Sequence, residues 1–243
     1  MSKEIAIVTG GVGGIGTSIC HKLANTGFKV IATYYKDDIQ KWLKHHEKYN
    51  YDIKIASLDV TSFTACEKFA NKILDNENIS VLVNVAGIIK DNLLRNMTEK
   101  EWHAVINTNL NGVFNITRQF INQMIKKKYG RIINISSVNA QKGQAGQTNY
   151  AAAKAGMHGF TKSLALEVAK YGITVNTISP GYVDTPMMQQ IAPEILAKII
   201  ASVPVKRLAT VNEIANMVNF LATKENSFIT GANFSINGGL HMQ

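Results

Sequence analysis

The sequence predicts an α/β fold: a single doubly wound parallel sheet, Rossmann-type, of about seven strands with helices on both faces. Three observations predict it. Apolar, β-branched runs of strand length alternate with helical patterns along the chain. The first run ends in a glycine turn, T-G-G-V-G-G-I-G at 9–16, that opens straight into a helix. The strand candidates are apolar on both faces, as expected where helices cover both sides of a sheet.

The first strand runs from Glu4 to Val8. The glycine turn follows, then the helical run T-S-I-C-H-K-L-A-N. Gly11, Gly13 and Gly16 fit G-x-G-x-x-G; Gly10, Gly14 and Gly16 also fit T-G-x-x-x-G-x-G. Glycines let the backbone approach a pyrophosphate, and the helix N-terminus supplies N–H groups and a positive dipole end. A tight strand–helix turn explains the glycines equally well in isolation; the flanking elements favour dinucleotide binding, with Val12 and Ile15 inside the same loop. Phe28 to Thr33 completes a β-α-β unit and implies a parallel pair. That strand leads into Tyr34, Tyr35 and Lys36, where an NAD site usually carries a carboxylate. Lys36, beside Tyr35, suits a 2′-phosphate, which points to NADPH. Asp37 and Asp38 follow closely, and either would serve NADH instead.

Ile53 to Leu58 is a third strand, ending at Asp59 and Val60. Ile79 to Val85 is a fourth, followed by Ala86 and Gly87. Thr98 and Glu101 fit a capping box at the start of a helix. Trp102, Val105, Ile106, Leu110, Val113 and Phe114 recur at helical spacing, a stripe best read as core or subunit contact. Asn109 is the polar exception beside it. Lys126, Lys127 and Lys128 read as a solvated helix C-terminus. Further strands are expected at Arg131 to Ile135, Ile173 to Ile178 and Asn233 to Ile236, with a last helix near Asn212 to Leu221. Gly10–Gly16, Asp59, Ala86–Gly87, Ser137 and Pro180–Gly181 all follow strands, so they should converge on one cleft.

The chemistry centres on 136–154. Tyr150 and Lys154 stand at i and i+4 of a helix expected to open at Asn149 or Tyr150, so they share one face. A free tyrosine has a pKa of about 10 and is a poor proton donor or acceptor at neutral pH. A nearby ammonium would lower it, and such a tyrosine could exchange a proton with an alcohol or ketone oxygen. Ser137, at the end of R-I-I-N-I, could hydrogen-bond the same oxygen. Tyr-x-x-x-Lys alone is a weak pattern; I-S-S upstream and the glycine turn make it a catalytic one.

The chain has 243 residues, 46% of them hydrophobic, and no linker, repeat or low-complexity run divides it. One domain spanning 1–243 is favoured over two small ones. The start shows no signal-peptide pattern and no apolar run reaches a membrane-spanning length. Cys20 and Cys66 have no metal or redox spacing and read as buried thiols in a reducing compartment, the cytoplasm; no metal site is expected. The net charge of +9 is scattered. It disfavours nucleic acid and is compatible with a phosphate-bearing ligand.

Taken together, T-G-G-V-G-G-I-G, L-D-V (58–60), N-V-A-G (84–87), N-T-N-L (107–110), I-S-S (135–137), Y-A-A-A-K (150–154) and S-P-G (179–181) closely resemble the short-chain dehydrogenase/reductase family over the whole chain. The resemblance implies NADP(H) and a catalytic set of Asn109, Ser137, Tyr150 and Lys154. Tyr150 would donate the proton and Ser137 would orient the carbonyl. Lys154 would bind the nicotinamide ribose and lower the tyrosine pKa, and Asn109 would hold a relay water. Asp59 and Val60 would flank the adenine, and Asn84, Ala86 and Gly87 would line its ribose. Pro180, Gly181, Val183 and Thr185 would lie on the nicotinamide side. The family usually has N-N-A-G where Val85 stands here. V-N-A-Q-K-G-Q-A-G-Q-T-N-Y (138–150), V-K-R-L (205–208) and N-G-G-L-H-M (237–242) are most similar to the acetoacetyl-CoA reductases of polyhydroxybutyrate synthesis. That branch implies an acyl-CoA substrate touched by Asp91, Ser137, Gln144, Gln147 and Tyr182, and a homotetramer. Ala145 replaces an expected Phe. The long stretch 182–207, with Met187, Met188, Ile191, Ile195 and Leu196, is read as a substrate lid. Reduction of a 3-oxoacyl chain on acyl carrier protein, and a non-catalytic dinucleotide sensor on the same fold, are the competing readings.

Overall fold

In the computed structural model, which describes residues 4–36, 39–49, 51–74 and 79–242, the apolar runs become strands β1 (Ile5–Thr9), β2 (Lys29–Tyr34), β3 (Ile53–Ser57), β4 (Ile79–Asn84), β5 (Gly130–Ile135), β6 (Ile173–Pro180) and β7 (Asn233–Ile236). Among the described residues they form one sheet, ordered β3-β2-β1-β4-β5-β6-β7, with every pair parallel. The winding reverses between β1 and β4, and a ligand crevice opens at such a reversal.

The helices are α1 (Gly14–Asn25), α2 (Ile39–His46), α3 (Phe63–Leu74), α4 (Glu99–Ile106), α5 (Gly112–Lys127), α6 (Asn139–Lys142), α7 (Thr148–Val168), α8 (Pro193–Ser202) and α9 (Val211–Ala222). Successive strand residues point to opposite faces. Ile5, Ile7, Leu82 and Ile132 therefore meet α3, α5 and α7 through Cys66, Phe120 and Ala165. Ala6, Val8, Val81 and Ile133 meet α1 and α9 through Ile19, Leu23, Val218 and Leu221. Each fully buried large aliphatic side chain contributes roughly 1.5–3 kcal/mol.

Thr98 caps α4 with the expected box: its hydroxyl accepts from the Glu101 amide, and the Glu101 carboxylate accepts from the Thr98 amide at 2.8 Å. α5 ends at Lys127, with Lys128 in the left-handed region as its cap. α7 begins at Thr148, slightly ahead of the expected start, because Gln147 serves as its N-cap. Both cysteines are buried free thiols, and burial pushes Cys66 up to about 12. Among the described residues no helix is long and apolar enough to cross a membrane, and no cluster of His, Cys, Asp and Glu could hold a metal ion.

Asn84, expected to line a cofactor ribose, has its side chain buried in a polar ladder across the sheet. Nδ2 donates to Asn134 Oδ1 at 2.8 Å and to Thr117 Oγ1 at 3.2 Å. Asn134 continues to Thr161, which also takes the Thr177 hydroxyl. Buried amides need partners, and these lie in the sheet and in α5 and α7 rather than at the cleft.

Candidate active site

The glycine loop is shaped by close approach. Gly10 has φ +62°, and a Cβ there would lie 3.0 Å from Ala86 Cα. A Cβ on Gly16 would collide with the Gly10 carbonyl. The loop is pinned to β2, since Gly11 N donates to Thr33 O at 2.8 Å. Gly13 N turns back onto Gly10 O at 3.1 Å, and Val12 sits at the bend, partly buried. Ile15 anchors the start of α1 in the core. Thr9 closes the other side: its hydroxyl accepts from Val85 N at 3.0 Å and Ala86 N at 3.2 Å. Val85 packs on the apolar core. Gly14 faces Thr185 and Pro186, whose nearest atoms would be 3.2–3.3 Å from a Cβ. The strand ends thus bring the glycine loop, 86–87 and Thr185 together. A Cβ-free cradle at a helix N-terminus fits a dinucleotide pyrophosphate.

At the end of β2, Tyr35 and Lys36 are exposed. Lys36 adopts φ +57°, and its ammonium lies 4.8 Å from the Tyr35 ring centre. The Tyr35 hydroxyl, then the nearby Asp59 charge, raise the Lys36 pKa. Asp37 and Asp38 lie outside the described residues. Asp59 Oδ1 accepts from the Thr61 amide at 2.9 Å and hydroxyl at 2.6 Å. Val60 is packed in the core and its carbonyl accepts from Asn115. Its side chain is turned into the core, and Asp59 is the more exposed side chain of that pair.

The catalytic candidates come together. Lys154, 3% exposed, donates from Nζ to Ile135 O at 2.7 Å. A Cβ on Gly87 would lie 3.2 Å from Asn109 Oδ1 and 3.5 Å from Lys154 Nζ, so all three share one spot. Asn109 is fully buried and clamps Ile88 with both ends of its amide, at 2.8 Å each. It sits in a turn of π-helix, 107–111, inserted between α4 and α5. Such bulges often mark functional sites. The sequence signal was present as N-T-N-L-N-G, but its backbone consequence was not.

The electrostatics differ from expectation. Lys154 was expected to lower the Tyr150 pKa as a cation. Burial instead brings Lys154 itself down to about 7. Burial also raises Tyr150, and the Ser137 hydroxyl bond pulls it back. The lysine nitrogen lies 5.7 Å from the Tyr150 ring centre; its bond to Ile135 O favours the ammonium, and burial disfavours it.

Gln147 and Asp91 are joined: Nε2 donates to Oδ2 at 2.8 Å, and Gln147 Oε1 accepts from Asn139 at 2.9 Å. Gln144 is exposed and accepts from Lys142. Tyr182 lines a hollow of about 290 Å³ with Val203, Val205, Arg207 and Asn237; neither Asp91, Gln144 nor Gln147 borders it. Val183 is buried and bridges Ala209, while Gly181 N donates to Ile236 O and Val138 N to Pro180 O. Sequence reasoning missed Asn139, Asn149 and Ser136. Asn149 is buried directly before the tyrosine; it donates to Lys90 O and accepts from Tyr150 N at 2.7 Å. A polar residue at a helix start is the signal that could have found it.

Fold and site define an oxidoreductase that interconverts a carbonyl and an alcohol with a nicotinamide cofactor, and comparison agrees. Residues 4–195 match the short chain dehydrogenase profile, and the chain belongs to that family. Among curated relatives, acetoacetyl-CoA reductase of Cupriavidus necator is 49% identical over 100% of both chains. Nodulation protein G of Azospirillum brasilense is 46% identical over 100% of both. The 3-oxoacyl-[acyl-carrier-protein] reductase FabG of Escherichia coli is 44% identical over 98% of each.

Proposed function

We propose that this chain reduces a short 3-oxoacyl-CoA, foremost acetoacetyl-CoA, to the (R)-3-hydroxyacyl-CoA with NADPH. The observation that carries the reading is full-length likeness to acetoacetyl-CoA reductases, joined to the meeting of Ser137, Tyr150, Lys154 and Asn109 described above. The glycine loop 10–16 holds the pyrophosphate, Asp59, Ala86 and Gly87 the adenosine, Lys36 and Tyr35 the 2′-phosphate, and Gly181, Val183 and Thr185 the nicotinamide side. When bound, the reduced cofactor supplies a hydride. Ser137 holds the substrate carbonyl oxygen against Tyr150, which gives that oxygen its proton. Lys154, with a pKa brought down to about 7, can return a proton to Tyr150 at neutral pH. Asn109 fixes the 87–88 turn beside it.

Asp91 and Gln147 form a polar pair ahead of the catalytic helix. Each Gln147 amide group keeps unused capacity, suited to thioester and pantetheine amides. The segment 182–207 acts as a lid, with a neck at the Val183–Ala209 bridge, on one domain spanning 1–243. The small, exposed outer face of α7 and the sheet edge at β7 support a homotetramer; the two buried free thiols are compatible with the cytoplasm. Two measurements test the reading. Acetoacetyl-CoA should give a higher kcat/KM than acetoacetyl-carrier protein; the reverse order would move the chain to fatty-acid synthesis. NADPH should outperform NADH, and Lys36→Ala should narrow the ratio; a parent preference for NADH would remove Lys36 from the site.

A further inference from the structure

Three consecutive residues at the end of β5 are fastened to α7. Ile135 O accepts from Lys154 Nζ, and Ser136 Oγ donates to Lys154 O at 2.9 Å. The next residue, Ser137, acts on the Tyr150 side chain of α7, whose pKa its hydroxyl pulls down. The middle fastening has a further member. His158, one turn beyond Lys154 on α7, places Nε2 3.0 Å from Ser136 Oγ and 3.3 Å from Ser179 Oγ. Each serine has one hydroxyl proton, and both are spent: Ser136 on Lys154 O, Ser179 on Asn233 Oδ1 at 2.7 Å. The only hydrogen left for these contacts is on His158 Nε2. The histidine is thereby fixed as the Nε2–H tautomer and as a donor. Ser179 immediately precedes Pro180 and Gly181, so one ring ties α7 to the Ser137 strand end and to the 180–181 turn.

From this geometry we infer that His158 is a positioning residue for the reaction: its Nε2–H, through Ser136, sets the distance between the Ser137 hydroxyl and Tyr150. It touches neither substrate nor cofactor. An apolar side chain would fill the same space but leave the Ser136 oxygen without its donor, and Ser136 would be held by its bond to Lys154 O alone. The Ser137–Tyr150 contact would loosen, and misplacement at that scale is felt in kcat. The inference rests on the assignment of Ser137 and Tyr150, so the parent enzyme and Tyr150→Phe are assayed first. An active parent and an inactive Phe variant secure that assignment independently.

The test is then a comparison of His158→Leu, His158→Gln and Ser136→Ala. His158→Leu should lose about tenfold or more in kcat. Its cofactor affinity, read by quenching of protein fluorescence, should stay within about twofold, a range of roughly 0.4 kcal/mol. His158→Gln, which restores an N–H donor, should recover most of the loss. Ser136→Ala should resemble His158→Leu, and the double variant should be little worse than either single one, because both remove one link. A His158→Leu enzyme with parental kcat overturns the inference. So does a Gln variant as slow as the Leu variant, or additive losses in the double variant. If His158→Leu does not fold, Ser136→Ala and His158→Gln carry the comparison: a fast Ser136→Ala enzyme would overturn it equally.

Discussion

Lys154 illustrates what burial does to a single residue. The unfolded chain keeps its lysine protonated up to about 10.4, whereas the folded protein releases that proton near pH 7. Between those values the unfolded state binds more protons, so this residue's contribution to stability rises with pH. Below pH 7 both states are charged and the folded one carries the full burial penalty. Lys154→Met removes the titration. The variant's stability advantage over the parent should therefore be largest at and below pH 7 and shrink steadily towards pH 10. Loss of the bond to Ile135 O adds an offset that does not change with pH. Urea unfolding of both proteins at several pH values reads the slope; a difference constant across that range would mean that Lys154 titrates normally. Catalysis gives this poise a use, since a lysine near pH 7 exchanges protons at little cost where a surface lysine cannot.

At the scale of elements, α8 stands out by what it does not bury. None of its residues is buried, and Ile195 is 54% exposed. A helix that stored folding energy would turn that face inward. Ile195→Ser should therefore leave the unfolding midpoint unchanged while raising KM for the acyl substrate. A drop in Tm with unaltered KM would make α8 a structural helix rather than a cover. The strands were legible in the sequence because period and β-branching declare a strand buried on both faces, and Ile173–Pro180 is buried throughout. The capping box of α4 was legible because its chemistry is local. The π turn at 107–111 was not, since Asn109 takes its partner from Ile88, on a loop far off in sequence. The same limit applies to the Asn84 side chain, whose partners Thr117 and Asn134 lie far off in sequence. The placement of Tyr150 and Lys154 four apart on one helix was legible because it is local, whereas their pKa values depend on burial that only packing supplies.

At the scale of the whole molecule, the outer face of α7 bears on the proposed tetramer. Its exposed positions Ala152, Ala155, Gly159, Ser163 and Leu166 recur at spacings of three and four, with Leu166 85% exposed. On neighbouring α5, Phe114 is 48% exposed and stacks with Phe63. A row of small side chains lets two helices approach closely, ridge into groove. Gly159 separates the alternatives, because nothing lies within 4 Å of where its Cβ would be. In a lone chain, Gly159→Arg meets open space and improves helix propensity by roughly 0.5–1 kcal/mol. In an assembly packed through α7, the same arginine would stand where a second copy's helix must lie. The expected outcome is a variant whose individual chain folds but whose particle mass, read by sedimentation, falls below that of the parent. A parent that already sediments as a single chain, or a Gly159→Arg variant of unchanged mass above one chain, would take α7 out of the interface and leave the β7 edge as the remaining surface for assembly.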